Sequence, residues 1–290
     1  MSEIQSRFDP FSKRTWSLAH GRRLEIGPHA LIMGIVNVTP DSFSDGGKHF
    51  HAEQAVSRAL EMHQAGADIV DVGGESTRPG ADPVSASEEE ERVLPVIEAL
   101  SKNADLIISI DTYRAQTAEK AVQAGAHIIN DVWGCQKEPQ IASVAARHGA
   151  GLCAMHTGRE RDRRRDVVAD HFEFLEASLE IIQNAGVNHE QIVLDPGFGF
   201  AKDPQENIEL LGRFEELLKL GYPILVGTSR KRFLGHITGK DAEDRDIATA
   251  ATSVVARMKG AAVFRVHDVT ANRDSLLVTD AVLQGSGGNE

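Results

Sequence analysis

Residues 115–130, AQTAEKAVQAGAHIIN, contain one complete helix-to-strand unit. Small apolar residues recur every three or four positions over residues 115–123, which is typical of an amphipathic helix. Gly125 follows the last helical turn, where a left-handed conformation lets the chain reverse into the apolar run His127–Ile129. Polar Asn130 ends that run. A helix joined to a strand in this way is the unit from which parallel α/β folds are built.

The same unit recurs along the chain, and its number predicts the fold. Eight short apolar runs are predicted strands: Leu31–Val36, Ile69–Val72, Leu106–Ile110, His127–Ile129, Gly151–Met155, Ile192–Leu194, Ile224–Val226 and Val263–Val266. Eight amphipathic stretches are predicted helices: Ala52–Gln64, Glu88–Leu100, Ala115–Gln123, Pro139–Arg147, Val167–Asn184, Ile208–Leu220, Asp246–Lys259 and Asn272–Leu283. Eight alternating units favour an α/β protein with a single (β/α)8 TIM barrel over an open sheet.

Only short segments lie outside these repeats, so we expect one domain. Thr15–Ile26 alternates weakly around His20-Gly21 and predicts an N-terminal β-hairpin that closes the bottom of the barrel. The predicted organisation is a flexible N-terminus at residues 1–14, the barrel at residues 15–283 and a disordered tail at residues 284–290.

The composition limits the partners of the protein. The 290 residues include 43 acidic and 31 basic side chains, and the net charge of −12 disfavours nucleic acid because phosphate binding needs a basic face. No run approaches ~18 consecutive apolar residues, and the N-terminus lacks a signal-peptide core, so we expect no membrane span and a cytoplasmic location. The two cysteines, Cys135 and Cys153, fit a reducing compartment and have no metal-ligand spacing.

Polar residues follow the predicted strands, where the strands of a barrel converge on one rim. In chain order they are Asn37, Glu75, Asp111, Asn130, His156, Asp195, Ser229 and His267. Any one of them could be a helix cap or a turn residue. Eight at the same structural position indicate an active site, because barrel active sites lie at the carboxyl ends of the strands.

Two loops after the first two strands contain groups suited to metal and anion binding. In the loop that begins at Asn37, Asn37, Asp41 and Asp45 supply hard oxygens of the kind that Mg²⁺ prefers, although Pro40-Asp41 and Asp45-Gly46 are also turn signals. The loop Gly73–Gly80 contains Ser76, Thr77 and Arg78, which can donate hydrogen bonds to phosphate or carboxylate. Neither nucleotide signature, GxxxxGK[ST] nor GxGxxG after a strand, is present.

The remaining strand ends predict a polar slot beside a basic site. Asp111, Asn130 and Asp195 could pair with a heterocycle edge rich in N–H and C=O groups, or they could satisfy one another. Positive charge is concentrated after strands seven and eight, where barrels often bind phosphate; the residues are Arg230, Lys231, Arg232, Arg265 and His267. We expect the arginine-rich stretch Arg161–Asp166 to be a solvated loop without chemistry.

Seven motifs in this order resemble the dihydropteroate synthase family. They are Met33–Gly47, Gly73–Gly80, Ser109–Thr112, Ile129–Asp131, Leu194–Phe200, Gly227–Lys231 and Arg265–Asp268. The resemblance runs from about Thr15 to Leu283. It implies a transferase that condenses 6-hydroxymethyl-7,8-dihydropterin pyrophosphate with p-aminobenzoate, giving 7,8-dihydropteroate and pyrophosphate through an SN1-like displacement. It also implies a sulfonamide target and, by analogy, a homodimer.

The resemblance further implies a role for each matching residue. The pterin is expected at Asp111, Asn130, Met155, Asp195 and Lys231. The pyrophosphate is expected at Asn37, Thr77, Arg78, Arg265 and His267, with Mg²⁺ on Asn37 and Asp45. The p-aminobenzoate is expected at Phe43, Thr77, Pro79, Phe200, Lys231 and Arg232. Asp111, Lys231, Arg265 and His267 are the implied catalytic residues.

One departure and two alternatives qualify this interpretation. Position 232 is Arg where many relatives have Ser, which puts its contact with the substrate carboxylate in question. The pterin-binding module of a corrinoid-dependent methyltransferase would share the barrel but would not need the basic residues after strands seven and eight. A non-catalytic pterin-binding homologue would be expected to lose Asn37, Arg265 or His267, and all three are present.

Overall fold

The computed structural model describes residues 8–39, 48–75, 84–103 and 105–286. A two-stranded hairpin comes first, β1 (Arg14–Ser17) and β2 (Arg23–Ile26). The eight strands that follow are β3 (Leu31–Asn37), β4 (Ile69–Gly73), β5 (Ile107–Asp111), β6 (Ile128–Asp131), β7 (Gly151–Met155), β8 (Ile192–Asp195), β9 (Leu225–Val226) and β10 (Val263–Val266). Each of these eight begins within one residue of a predicted strand.

Helices separate the strands of the barrel. They are α1 (Lys48–Gln64), α2 (Ala86–Leu100), α3 (Ala115–Gln123), α4 (Gln140–His148), α5 (Val167–Asn184), α6 (Pro204–Gly212), α7 (Arg232–Thr238), α8 (Asp246–Met258) and α9 (Val269–Ser286). The short α7 was not predicted, and the predicted helix Ile208–Leu220 is wrong in its bounds. Helix α6 begins four residues earlier, because Asp203 and Glu206 form a reciprocal cap, and Phe214–Leu220 forms a separate 3-10 segment.

The eight strands from β3 to β10 form a nearly closed parallel barrel. Consecutive strands pair from β3 to β8, and β10 pairs with both β3 and β9. A single bridge between Leu194 and Ile224 joins β8 to β9, and the Leu194 amide donates to the Pro223 carbonyl at 3.0 Å. The predicted (β/α)8 barrel is therefore confirmed.

The inside of the barrel changes from apolar to polar along the strand direction. Its lower layer is an apolar cluster that includes Leu31, Met33, Ile69, Ile107, Ile128, Cys153, Val193, Leu225 and Val263. Side chains alternate across a strand, so the residue two positions later points inward again. Those positions include Asp71, Ser109, Asn130 and Arg265. The sequence thus places polar groups directly above an apolar floor.

The predicted N-terminal hairpin closes the bottom of the barrel. Trp16, Leu18 and Ile26 belong to the lower apolar cluster, and the Trp16 indole donates to the Gln191 carbonyl at 2.9 Å. Gly151 allows this close packing, because an added Cβ there would lie 2.6 Å from Leu18. The described contacts extend further toward the N-terminus, since the Arg257 guanidinium lies over the Phe11 ring. In the described residues, no helix is long and apolar enough to cross a membrane.

Candidate active site

An ion-paired group of three side chains lies inside the carboxyl end of the barrel. Arg265 on β10 donates from Nε to Asp71 Oδ2 and from Nη2 to Asp111 Oδ2, each at 2.6 Å. In the β4–β5 register, Asp71 stands opposite Ser109 and Gly73 stands opposite Asp111. The Asp71 and Asp111 carboxylates therefore lie on neighbouring strands, one layer apart along the barrel axis. The Arg265 guanidinium binds both of them inside the barrel.

Three buried polar atoms beside this group have no hydrogen-bond partner within the described residues. They are Asp71 Oδ1, Ser109 Oγ and Asn130 Oδ1, on the consecutive strands β4, β5 and β6. Asn130 uses only its amide nitrogen, which donates to Asp71 Oδ2 at 3.1 Å. Because an unpaired buried polar atom costs about 1–3 kcal/mol, such atoms are rare unless a ligand or water satisfies them. Their arrangement fits the polar edge of a bound heterocycle.

The ionisable groups of the site have shifted pKa values. Burial raises the pKa of Asp111 above its ordinary value, and the neighbouring Asp71 adds to the rise although Arg265 opposes it. Burial raises the pKa of Asp195 to about 6. Burial, with the nearby Arg265, lowers the pKa of Lys231 to about 8. Asp71, Asp111 and Asp195 place three carboxylates around the site, and when ionised they would stabilise a cationic ligand.

The loop after β8 brings Asp195 and Phe200 to the same side of the site. Asp195 Oδ1 accepts the Gly197 amide at 2.7 Å, which fixes the carboxylate at the end of its strand. Gly199 has a φ of 81°, and an added Cβ would lie 3.0 Å from the Lys231 side chain. The Lys231 stem therefore passes close to the loop, and its ammonium lies 4.3 Å from the centre of the Phe200 ring.

An apolar wall adjoins the polar slot. Val132, Met155 and Phe200 form a buried cluster, with Tyr113 and Trp133 packed against it. The Arg159 guanidinium also lies over the Phe200 ring, 4.8 Å from its centre. A flat ligand with one polar edge could place that edge in the slot and its face against this wall.

Of the basic residues predicted around an anion site, some point into the barrel and others point away from it. His267 lies beside Ser229, whose hydroxyl contacts His267 Nδ1 at 2.9 Å and accepts the His267 amide at 3.1 Å. Arg230 does not join this site, because its Nε and Nη2 donate to the Asp246 carboxylate of α8 at 2.8 and 2.7 Å. Arg232 is exposed at the beginning of α7. Lys231 and Arg265 thus supply the inward positive charge.

The stretch Arg161–Asp166 is only partly the solvated loop that the sequence predicts. Residues 162–166 are exposed, and Arg164 pairs with Glu173 on the surface. Arg161 instead turns inward, bonds Asp170 Oδ2 and lies over the Phe174 ring. Its guanidinium belongs to a buried polar network beneath the loop after β8, which the charge pattern alone did not reveal.

Several predicted site residues lie outside the described residues: Phe43, Asp45, Thr77, Arg78 and Pro79. Asn37 is described and ends β3 beside Gly73 of β4, half-buried at the rim. Its carboxamide oxygen is a hard donor that suits Mg²⁺. Among the described residues, no group of three or more His, Cys, Asp or Glu could hold a metal ion.

Two residues that shape the site were not found by sequence reasoning. Asp71 lies within the apolar run of β4, and only the strand ends were considered as candidates. A single acid at an inward position of a buried strand was the available signal, because such a group needs a partner. Lys202 was missed because it follows an exposed-looking loop, although its ammonium turns back beneath Gly197 and Phe200.

Comparison with known proteins agrees with this geometry. The model of the family described as "Pterin binding enzyme" matches residues 33–267. Dihydropteroate synthase of Bacillus subtilis is 47% identical over 89% of this chain and 90% of its own length. Two solved structures are also similar. The Xanthomonas albilineans dihydropteroate synthase with 4-aminobenzoic acid has a TM-score of 0.87 at 41% identity, covering 93% of this chain and 99% of that one.

The second structure is the Yersinia pestis dihydropteroate synthase in complex with a sulfonamide drug. It has a TM-score of 0.85 at 38% identity, and the match covers 94% of this chain and all of that one. Both the family model and these relatives span nearly the whole barrel, including every strand that contributes to the site. The chain therefore belongs to the pterin-binding enzyme family, among its dihydropteroate synthases.

Proposed function

We propose that this chain condenses 6-hydroxymethyl-7,8-dihydropterin pyrophosphate with p-aminobenzoate. The bond between the pterin methylene carbon and the pyrophosphate oxygen breaks, and its electron pair leaves with pyrophosphate. The lone pair of the aminobenzoate nitrogen then forms the new C–N bond, and that nitrogen loses one proton to solvent or phosphate. The observation that carries the proposal is the polar slot, in which unpaired buried atoms adjoin two carboxylates that share one guanidinium.

The pterin would occupy this slot. Asp111, Asn130 and Asp195 would accept its N–H groups, Lys231 would donate to its carbonyl oxygen, and Met155 would pack against the ring. The carboxylates of the site would stabilise the cationic pterin that develops as pyrophosphate leaves, which favours an SN1-like path. No side-chain nucleophile is needed for such a displacement.

The leaving group would lie above Arg265 at the rim. The two ion pairs of Arg265 use Nε and Nη2 and leave Nη1 for a pyrophosphate oxygen. His267 lies beyond Arg265 on the same side of β10 and would contact the terminal phosphate, with Thr77 and Arg78 from the second loop. Asn37 and Asp45 would hold Mg²⁺, which when bound offsets the negative charge of pyrophosphate.

The aminobenzoate would lie against Phe200 and Lys231, near the beginning of α7. Phe43, Thr77 and Pro79 would complete the pocket from the two long loops, and Arg232 would approach the carboxylate. Sulfonamides share the aniline group of aminobenzoate and would compete for this pocket.

The exposed surface supports a homodimer. Apolar side chains that are 42–77% exposed cluster on three successive helices: Ile237, Ile247, Val255, Met258, Leu277, Val278 and Val282. Helices α8 and α9 pack against each other and α7 contacts α8, and we call the exposed apolar residues of these three helices the apolar face. We propose that a second copy covers this face and that the dimer acts in the cytoplasm.

The proposed reaction can be tested by identifying its product. Purified protein is incubated with Mg²⁺ and both substrates, and 7,8-dihydropteroate is measured by mass spectrometry. We expect product from the pyrophosphate ester and none from free 6-hydroxymethyl-7,8-dihydropterin, because the free alcohol lacks a leaving group. A protein that binds the pterin tightly yet makes no dihydropteroate would instead be a non-catalytic homologue.

A further inference from the structure

Lys202 belongs to the loop that connects β8 to α6, and its side chain folds back under the first part of that loop. Its ammonium is 2.8 Å from the Gly197 carbonyl, 3.4 Å from the Phe200 carbonyl and 2.9 Å from His156 Nδ1. A lysine ammonium has three N–H donors and no acceptor. All three donors are therefore used, and two of them hold the loop that ends in Phe200.

The His156 ring that contacts Lys202 is itself held by neighbouring side chains. Because Lys202 can only donate, His156 Nδ1 must be an acceptor. Burial, with the positive charge of Lys202, lowers the pKa of His156 to about 2, so the ring is neutral. His156 Nε2 lies 2.9 Å from Asp170 Oδ2 and 2.9 Å from Arg161 Nη2. Arg161 bonds the same Asp170 oxygen, so Lys202 rests on a network anchored to α5.

Both halves of the loop have supports besides Lys202. The Phe200 amide donates to the Gly197 carbonyl at 3.1 Å, and the Gly199 amide donates to Asn207 Oδ1 at 2.7 Å. His156 donates its amide to the Asp195 carbonyl at 2.8 Å, and His171 Nε2 lies 2.8 Å from the Pro196 carbonyl. Asp195 also belongs to β8, so the strand holds it in place. Phe200 follows two glycines with positive φ, Gly197 at 61° and Gly199 at 81°, which have little conformational preference of their own.

We propose that Lys202 is a positioning residue for the p-aminobenzoate half of the site and acts through Phe200. This inference rests on the proposed function. Lys202 bridges both ends of the Gly197–Phe200 turn and so sets how far the Phe200 ring lies from the Lys231 ammonium. In the pterin half, Asp195 is held by β8 as well as by the Gly197 amide, so it depends on this bridge less than Phe200 does.

The charges around Lys202 determine how much its ammonium contributes to the stability of the fold. The charged groups that surround it are Asp170, Asp195, Arg163 and Lys231, with neutral His156 and His171 packed beside it. Burial lowers the pKa of Lys202 to about 7, so its environment opposes the charged form. Removing the ammonium relieves this desolvation, which partly offsets the cost of taking the Lys202 donor from its three acceptors.

The test compares Lys202→Met with the matched control Lys240→Met, whose side chain is exposed. Steady-state constants are measured for both substrates, together with the melting temperature, and the unsubstituted chain is assayed first. An inactive unsubstituted chain would refute the proposed reaction itself. With an active one, we expect Lys202→Met to raise the KM for aminobenzoate about tenfold, which corresponds to about 1.4 kcal/mol. The KM for the pterin ester should change less than about threefold, and the melting temperature by only a few degrees.

Other results would overturn the inference. An unchanged KM for aminobenzoate would show that Phe200 does not need Lys202. Equal rises in both KM values, or a loss of activity that follows a large fall in melting temperature, would show a general structural role. If Lys202→Met gives no soluble protein, Lys202→Gln is measured in the same way, and the same split between the two substrates is required of it.

Discussion

The proposed role of Asp111 requires a negative charge that lowers the stability of the fold. Asp71 and Asp111 share one guanidinium, and burial raises the pKa of Asp111 above its ordinary value. A carboxyl whose folded-state pKa is raised binds protons more tightly in the folded state. Holding it ionised at neutral pH therefore lowers the free energy of unfolding. Such a cost is expected where the charge serves catalysis.

Asp111→Asn should therefore separate activity from stability. The remaining Asp71 and Arg265 would form a balanced pair, so we expect a melting temperature that is unchanged or higher by a few degrees. The kcat should fall by about a hundredfold, since one preorganised electrostatic group is worth about 3 kcal/mol. The control is Asp105→Asn, an exposed carboxylate at the opposite end of β5. Near-normal turnover in Asp111→Asn would disprove the role.

The pH dependence of kcat/KM should be bell-shaped. Asp195 has a pKa of about 6 and that of Asp111 is also raised, so both lose their charge as pH falls and the acidic limb declines. Lys231 has a pKa of about 8, and it loses its charge as pH rises above that value. We expect a maximum between these values, measured in constant-ionic-strength buffers. A flat profile from about pH 5 to about pH 9 would contradict the assignment of these groups.

At this scale the sequence predicts strand-end residues well and interior ones poorly. Asp111, Asn130 and Asp195 were predicted from strand ends and Arg265 from the basic residues after strands seven and eight, and the structure places all four around one slot. Asp71 and Lys202 were not found. Their importance depends on which partners lie across the barrel, and a linear pattern does not contain that information.

Among the elements, the short loop between β9 and α7 is held by side chains of α8. Arg230 has a φ of 57° and binds Asp246 through two hydrogen bonds, while its amide donates to Thr249 at 3.1 Å. Arg245 also donates to the Arg230 carbonyl at 3.1 Å. These contacts from the start of α8 fix the residues on either side, Ser229 and Lys231, in the site.

Asp246→Ala should therefore reduce activity although Asp246 lies outside the site. We expect kcat/KM to fall about tenfold, because Lys231 would lose its defined position and a small misplacement is costly in rate. The neighbouring Asp244→Ala, an exposed residue on the same segment, is the control and should behave like the unsubstituted chain. Equal activity of the two variants would show that the ion pair between Asp246 and Arg230 has no effect on catalysis.

Element boundaries were predictable where periodicity was strong and failed where caps decide. Helix α3 matches its predicted bounds, since its apolar spacing and following glycine agree. Helix α6 begins at Pro204 because the Asp203 and Glu206 side chains satisfy the first amides, a signal that lies outside the apolar pattern. Helix α7 spans only seven residues, which is too short for periodicity to identify.

For the whole molecule, the exposed apolar face on α7, α8 and α9 predicts a dimer in solution. Analytical ultracentrifugation should give twice the mass of the 31.5 kDa chain. Val278→Glu should shift the equilibrium toward monomer, because a buried unpaired charge at an interface is costly. Ile208→Glu on α6, outside this face, is the control. A monomeric unsubstituted chain, or a dimer indifferent to Val278→Glu, would disprove this interface.

The most direct test of the proposed reaction is the release of pyrophosphate with and without p-aminobenzoate. Purified protein, Mg²⁺ and the dihydropterin pyrophosphate are mixed, and pyrophosphate is followed continuously by a coupled assay. The proposed reaction takes its nucleophile from aminobenzoate, so sustained release should require aminobenzoate and should equal the dihydropteroate formed. No release under any condition, or release at the same rate without aminobenzoate, would contradict the account.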